Sequence, residues 1–210
     1  MANDDAIAAR GGVLPVDFPN GNFKRTLYRL TTGAAAANVF IGSLVDLDAN
    51  GRASFAFNWA ASSNTVIGPV VGFVDTSYAA LPTAMETTTA GPYLPGNTDA
   101  YVFVCDDPMQ DFVIQEDTGG SALAETNIGN NATPIFRSSS GNTTTGYSTL
   151  ELDRSSAGTG TGGTMMIKGI HRHINSDGTQ NAAGNYCKWI VRLVSHRWLP
   201  MSTGPGGTQI

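Results

Sequence analysis

Asp106, Asp107, Asp111 and Glu116 form the densest cluster of groups in this sequence that could do chemistry. Carboxylates so close together suit a hard cation, or a pair working on a glycosidic bond. They equally suit a strand end closed by a turn, because an Asp side chain accepts backbone N–H bonds there and Asp107-Pro108 is a turn-forming dipeptide. The spacing lacks the fixed Gly and terminal Glu of an EF-hand loop, so the turn reading leads. His171-Arg172-His173 is the second constellation. On a strand, residues i and i+2 share a face, so two imidazoles there could be two zinc ligands. A third ligand would have to come from His196, Cys187 or an Asp, and no spacing demands one. The pair is expected to face solvent or an interface, and no metal or cofactor is called for.

Nucleophilic catalysis has less to stand on. No Gly-x-Ser-x-Gly elbow occurs. Gly160-Thr161-Gly162-Gly163 has the glycines of a phosphate loop but no following Lys-Ser or Lys-Thr, so it reads as a hairpin loop. Phe55, Phe57 and Trp59 alternate; they are either a sugar-stacking platform or, at strand spacing, core. Arg197-Trp198 joins two residue types enriched where partners dock. The candidate interface residues are therefore Arg197, Trp198, His171 and His173. Cys105 and Cys187 each lie in an apolar stretch and are expected to be small buried core residues rather than a disulfide scaffold.

The elements that must position these groups read as strands. Asn22–Leu30 and Val39–Leu47 come first, then an Asn50-Gly51 turn, since both positions tolerate positive φ. Arg52–Trp59 alternates as the second arm of that hairpin. Val66–Val74 is β-branched, with a bend or bulge expected at Gly68-Pro69. Ala79–Asn97 reads as loop. Asp99–Asp106 is the most apolar strand, ended by Asp107-Pro108, and Asp111–Glu116 resumes. Thr118–Gly146 is polar and carries no clear element. Tyr147–Asp153 alternates weakly, and Ser155–Thr164 reads as a flexible loop. Met165–Ile174 and Tyr186–Trp198 flank a turn at Asp177-Gly178. Helical potential is confined to Ala2–Ala9 and Thr32–Asn38, both too short to stand alone. Eight to ten strands with turns between them predict an all-β fold, an antiparallel sandwich or barrel with long polar loops and extended terminal arms. The division is an N-terminal arm at 1–20, one β domain at 21–200 and a tail at 201–210.

Charged residues make up 14% of the 210 positions, against about 25% in ordinary domains. Gly, Ser, Thr and Asn replace them, which suits turn-rich β structure and a surface that docks widely. The net charge is −5, which disfavours neutralising nucleic-acid phosphates. No apolar run reaches the roughly 18 residues of a membrane helix. The acidic first residues lack the apolar core of a signal peptide, so a cytoplasmic site of synthesis is expected.

The segment Tyr101-Val-Phe-Val-Cys-Asp-Asp-Pro-Met-Gln-Asp-Phe-Val-Ile-Gln-Glu116 resembles a family of tailed-phage head proteins. That family has an apolar strand, an Asp-Asp-Pro turn and a Phe-x-x-Gln strand in this order. Asn38–Leu47, Gly146–Asp153, Met165–Ile170 and Lys188–His196 are similar to further elements of it. The resemblance implies a capsid decoration, or cement, protein. Such a protein is assembled in the host cytoplasm and sits on the outer capsid surface of the virion, commonly as a homotrimer that ties neighbouring major capsid proteins together. It implies no catalytic residues, and the charge and apolar-run readings above leave no nucleic acid and no membrane among the expected partners. The competing readings are a virion-displayed glycan-binding β-sandwich and a metal-dependent hydrolase built on His171, His173 and the Asp106/Asp107 patch.

Overall fold

The computed structural model describes residues 11–16, 23–30, 38–55, 65–74, 93–96, 98–159 and 162–199. The chain is all-β and antiparallel, as the strand and turn pattern predicts. Among the described residues there are eleven strands and one 3-10 turn, Glu125–Asn127. The strands are β1 (Leu14–Pro15), β2 (Thr26–Arg29), β3 (Leu44–Leu47), β4 (Ala53–Ser54), β5 (Gly68–Val74) and β6 (Tyr101–Val104). They continue as β7 (Asp111–Gln115), β8 (Asn131–Gly141), β9 (Ser148–Gly158), β10 (Met165–Ile170) and β11 (Lys188–Leu193). The first sheet has the order β1-β7-β11-β10-β8-β9 and the second β2-β6-β5-β3-β4.

Both sheets curl. In the first, a bridge from Glu116 to Leu152 brings the end of β7 back to β9, and the Asp117 N–H bonds the Leu152 carbonyl at 3.0 Å. In the second, a bridge from Leu30 to Ala53 joins the ends of its two edge strands, β2 and β4. Curling buries one face of most strands, and the side-chain alternation follows, while β5 is buried along its whole length and β2 has no fully buried residue. Phe112 and Ile114, Trp189, Val191 and Leu193, Met165 and Ile167, and Leu150 and Leu152 fill the first core. Val39, Ile41, Val45, Ile67, Val70, Val102 and Val104 fill the second.

Strand β6 explains why its sequence is apolar on both phases. Val102 and Val104 enter the second core, while Phe103, half-buried, packs against the first and carries the Arg25 guanidinium over its ring at 4.7 Å. The strand expected over Asp99–Asp106 is therefore shorter and shared between two cores. The hairpin of β3 and β4 turns at Asn50-Gly51 as expected, with the Asp48 carboxylate accepting the N–H groups of Asn50 and Arg52. The backbone departs from regularity at Gly68, where φ is +143°, and β5 shifts register against β6 between Val70 and Gly72.

Three expectations are corrected. The polar stretch Thr118–Gly146 contains β8, eleven residues long. The loop expected over Ser155–Thr164 begins later, because β9 runs on to Gly158, which pairs with Asn131. Strand β10 stops at Ile170 rather than Ile174, and Ile174 pairs instead with Gln180 around the Asp177-Gly178 turn. Leu14–Pro15, within the stretch read as an arm, pair with β7 in the first sheet, and the adjacent Val13 lies in its core. Phe57, Trp59, Ala2–Ala9, Thr32–Ala37 and the tail Ser202–Ile210 lie outside the described residues.

Candidate docking surface

The segment leaving β11 crosses from one sheet to the other. The Val66 N–H bonds the Ser195 carbonyl at 3.0 Å, and the Arg197 N–H bonds the Val66 carbonyl at 2.8 Å. The Arg197 guanidinium then grips Asp46, with Nε on Oδ1 and a terminal nitrogen on Oδ2, both at 2.8 Å. The same terminal nitrogen reaches the Leu47 carbonyl, and Thr65 Oγ1 donates to Asp46 Oδ2. A forked pair of this kind fixes direction as well as distance. Beneath it lies His196, fully buried, its Nδ1 accepting the Trp198 N–H at 3.1 Å. Burial pulls the His196 pKa below the usual histidine value, so the ring is neutral. An Nδ1 that accepts leaves the ring proton on Nε2. Trp198 is thus fixed through its backbone by a neutral imidazole, while its side chain stays 52% exposed.

His171 and His173 lie beyond the end of β10, opposite the start of β11. Their rings stack, with centroids 5.4 Å apart and planes inclined by 23°. Lys188 Nζ sits 2.9 Å from His173 Nε2. Asn181 ties the region together, its Nδ2 donating to the carbonyls of His171 and Lys188 and its Oδ1 accepting the Lys188 N–H. Burial, then the electrostatic influence of His173 and Lys188, lowers the His171 pKa. Rings held parallel do not converge on one ion. Among the described residues no group of three His, Cys, Asp or Glu is placed to hold a metal. Beside the pair opens a groove of about 640 Å³, lined by Ile128, Ile170, Arg172, Gln180, Ala182 and Ala183 among others. The four candidate interface residues therefore fall in two places, at opposite ends of β11.

The acidic cluster is dispersed among structural partners. Asp106 accepts hydrogen bonds from Thr26 Oγ1 at 3.0 Å and from the Tyr28 hydroxyl at 2.8 Å. Asp107 Oδ1 accepts the Met109 N–H, the turn bond that its place before Pro108 leads one to expect. Asp111 pairs with Lys168 at 2.6 Å and with Arg192 at 2.8 Å. Glu116 is fully buried and accepts the Trp189 indole N–H at 2.8 Å. Also near it is the buried guanidinium of Arg154, 3.5 Å away, an ion pair that sequence reading missed. Phe55 packs against the second core. Cys105 and Cys187 are both buried and unbridged in the first core, where burial pushes each thiol up to about 12.

No family model, curated protein or solved structure matches this chain.

Proposed function

We propose that this chain is a structural, non-enzymatic protein that decorates and cements the outer surface of a tailed-phage head, bridging neighbouring major capsid proteins as a homotrimer. The support is of two kinds. The sequence segments that resemble the head-protein family lie on β3, β6, β7, β9, β10 and β11 of one all-β body. Tyr101–Glu116 in particular is strand, Asp-Pro turn and strand. The observation that carries the reading is Trp198. A large indole exposed to 52% beside a forked Arg197–Asp46 clamp, its backbone held by a buried imidazole, is pre-organised for contact. Holding an anchor in its bound geometry removes part of the ordering entropy of association. Aromatic and Arg side chains are also the types that dominate docking energy.

The test is add-back. Heads lacking this protein are incubated with purified wild-type chain or Trp198→Ala, and occupancy is read by sedimentation and gel densitometry. Loss of an interface anchor costs about 2 kcal/mol or more, so occupancy at limiting protein should drop at least about tenfold. Wild-type chain that fails to bind heads would refute the reading. Equal occupancy by the variant would remove Trp198 from the contact.

A further inference from the structure

The curl of the first sheet closes through a narrow seam between β7 and β9. Its backbone part is the Glu116–Leu152 bridge and the Asp117 N–H to Leu152 carbonyl bond. Its side-chain part is buried and ionic. The Glu116 carboxyl has no solvent exposure; Oε2 accepts the Trp189 indole N–H, and Oε1 has no hydrogen-bond partner. Arg154, 4% exposed, stands 3.5 Å from that oxygen.

The guanidinium is nevertheless held mainly by neutral acceptors. Its nitrogens donate to the carbonyls of Thr118 and Gly119 and to Asn185 Oδ1, while Asp117 lies 3.8 Å from Nε. Three of its five N–H groups are spent on those acceptors, and its nearest nitrogen stays 3.5 Å from Oε1 without a hydrogen bond. The ionised carboxylate, with no solvent exposure, therefore bears the larger desolvation cost, and the neutral acid keeps the bond from Trp189. Other polar groups facing Glu116 do not make up the deficit. The neighbouring Cys187 thiol is neutral, and the Leu123 N–H is a single neutral donor. Gln115 and Lys188, next to it on β7 and β11, are turned elsewhere: Gln115 Nε2 donates to Glu151, which Arg137 also approaches at 3.8 Å, and Lys188 Nζ reaches His173.

We infer that Glu116 is a protonation-gated clasp: the seam between β7 and β9 is tight while its carboxyl is neutral, and it loosens when the carboxyl ionises. Burial, the largest influence, holds the carboxyl up to about 7, above the usual carboxylate range, although Trp189, Leu123 and Arg154 each pull it down. The gate thus works around neutral pH, independently of what the protein docks on.

Proton NMR of the full chain tests this through the Trp189 indole N–H, followed from pH 5 to pH 9. A single titration with a midpoint near 7 is expected, and it should vanish in Glu116→Gln, which keeps an acceptor for Trp189 and carries no charge. Hydrogen exchange at the Asp117 amide, corrected for its intrinsic pH dependence, should quicken at least threefold above the midpoint in wild type only. A flat indole signal, or a titration that persists in Glu116→Gln, overturns the inference. The carbon-13 shift of the Glu116 carboxyl in wild type reads the same proton directly, so the result does not depend on the variant folding. Full ionisation at pH 5 by that signal would also overturn it.

Discussion

Adding one methyl group at Gly68 should cost this protein much of its stability. Gly68 opens β5 at φ +143°, and a Cβ built there would lie 1.9 Å from the Cys105 carbonyl oxygen. Because that atom is backbone, no side chain can swing aside. The two segments must part by about 1.5 Å to reach ordinary contact. That movement weakens the Cys105 N–H to Pro69 carbonyl bond at 3.0 Å and the neighbouring Ile67 N–H to Val45 carbonyl bond at 2.8 Å. Two strained hydrogen bonds, overpacking and an unfavourable φ each contribute about 1 kcal/mol or more, so Gly68→Ala should lose about 4 kcal/mol. For a chain of this size that is roughly 12 °C in melting temperature. Gly51→Ala separates sterics from backbone strain, because Gly51 also has positive φ (+72°) but nothing stands within 4 Å of its Cβ. It should lose only about 1 kcal/mol, or about 3 °C. Thermal unfolding followed by circular dichroism reads both. Equal losses would refute the close approach of β5 to Cys105.

Further outcomes are expected from the buried groups. Stability should carry a Glu116 contribution that is fully present below about pH 4.5 and lost as pH rises through about 7. This amounts to about 3 kcal/mol by linkage, and denaturant melts of Glu116→Gln should lack it. His196 works in the opposite sense. Its folded pKa is depressed, so its contribution is present above the ordinary histidine value and lost on acidification, and His196→Gln should flatten the acid limb of the same melts. Cys105 and Cys187 should resist a thiol reagent at pH 8 in the native protein and react fully in denaturant, because both are buried and their thiols stay protonated. Fast labelling of either in the native state would contradict that burial.

What could be read from the sequence was what is encoded locally. Asn50-Gly51 and Asp107-Pro108 announce their turns because the constraint sits in the turn residues themselves. The alternation in Lys188–Leu193 shows its buried phase directly, with Trp189, Val191 and Leu193 inward. Strand β8 gave no such signal. Its residues Asn131, Ala132, Pro134 and Gly141 are poor strand formers, and it is held by pairing with β9, a partner that a linear reading does not contain. Strand β10 pairs with it only at Asn131 and Ala132, so Pro134 is tolerated where just one flank is paired. The second half of β9 looked like loop for the same reason.

The candidate site was legible to the same extent. Arg197 and Trp198 could be picked out by type, and Trp198 is indeed exposed, but the Asp46 partner that orients Arg197 lies at the other end of the chain. The Glu116–Arg154 pair left no trace, because an acid and a base brought together by a curling sheet have no spacing rule. The acidic cluster misled in the opposite direction. Four carboxylates close in sequence went to four different neighbourhoods, since Asp106 and Asp107 sit in the turn after β6 while Asp111 opens β7 and Glu116 follows its end.

The proposed cementing role puts this protein in the shell of a phage head. Its copy number in purified virions relative to the major capsid protein, measured by quantitative mass spectrometry against isotope-labelled peptides of both, tests that most directly. A cementing role predicts a near-stoichiometric ratio. A handful of copies per particle, or none, would contradict it.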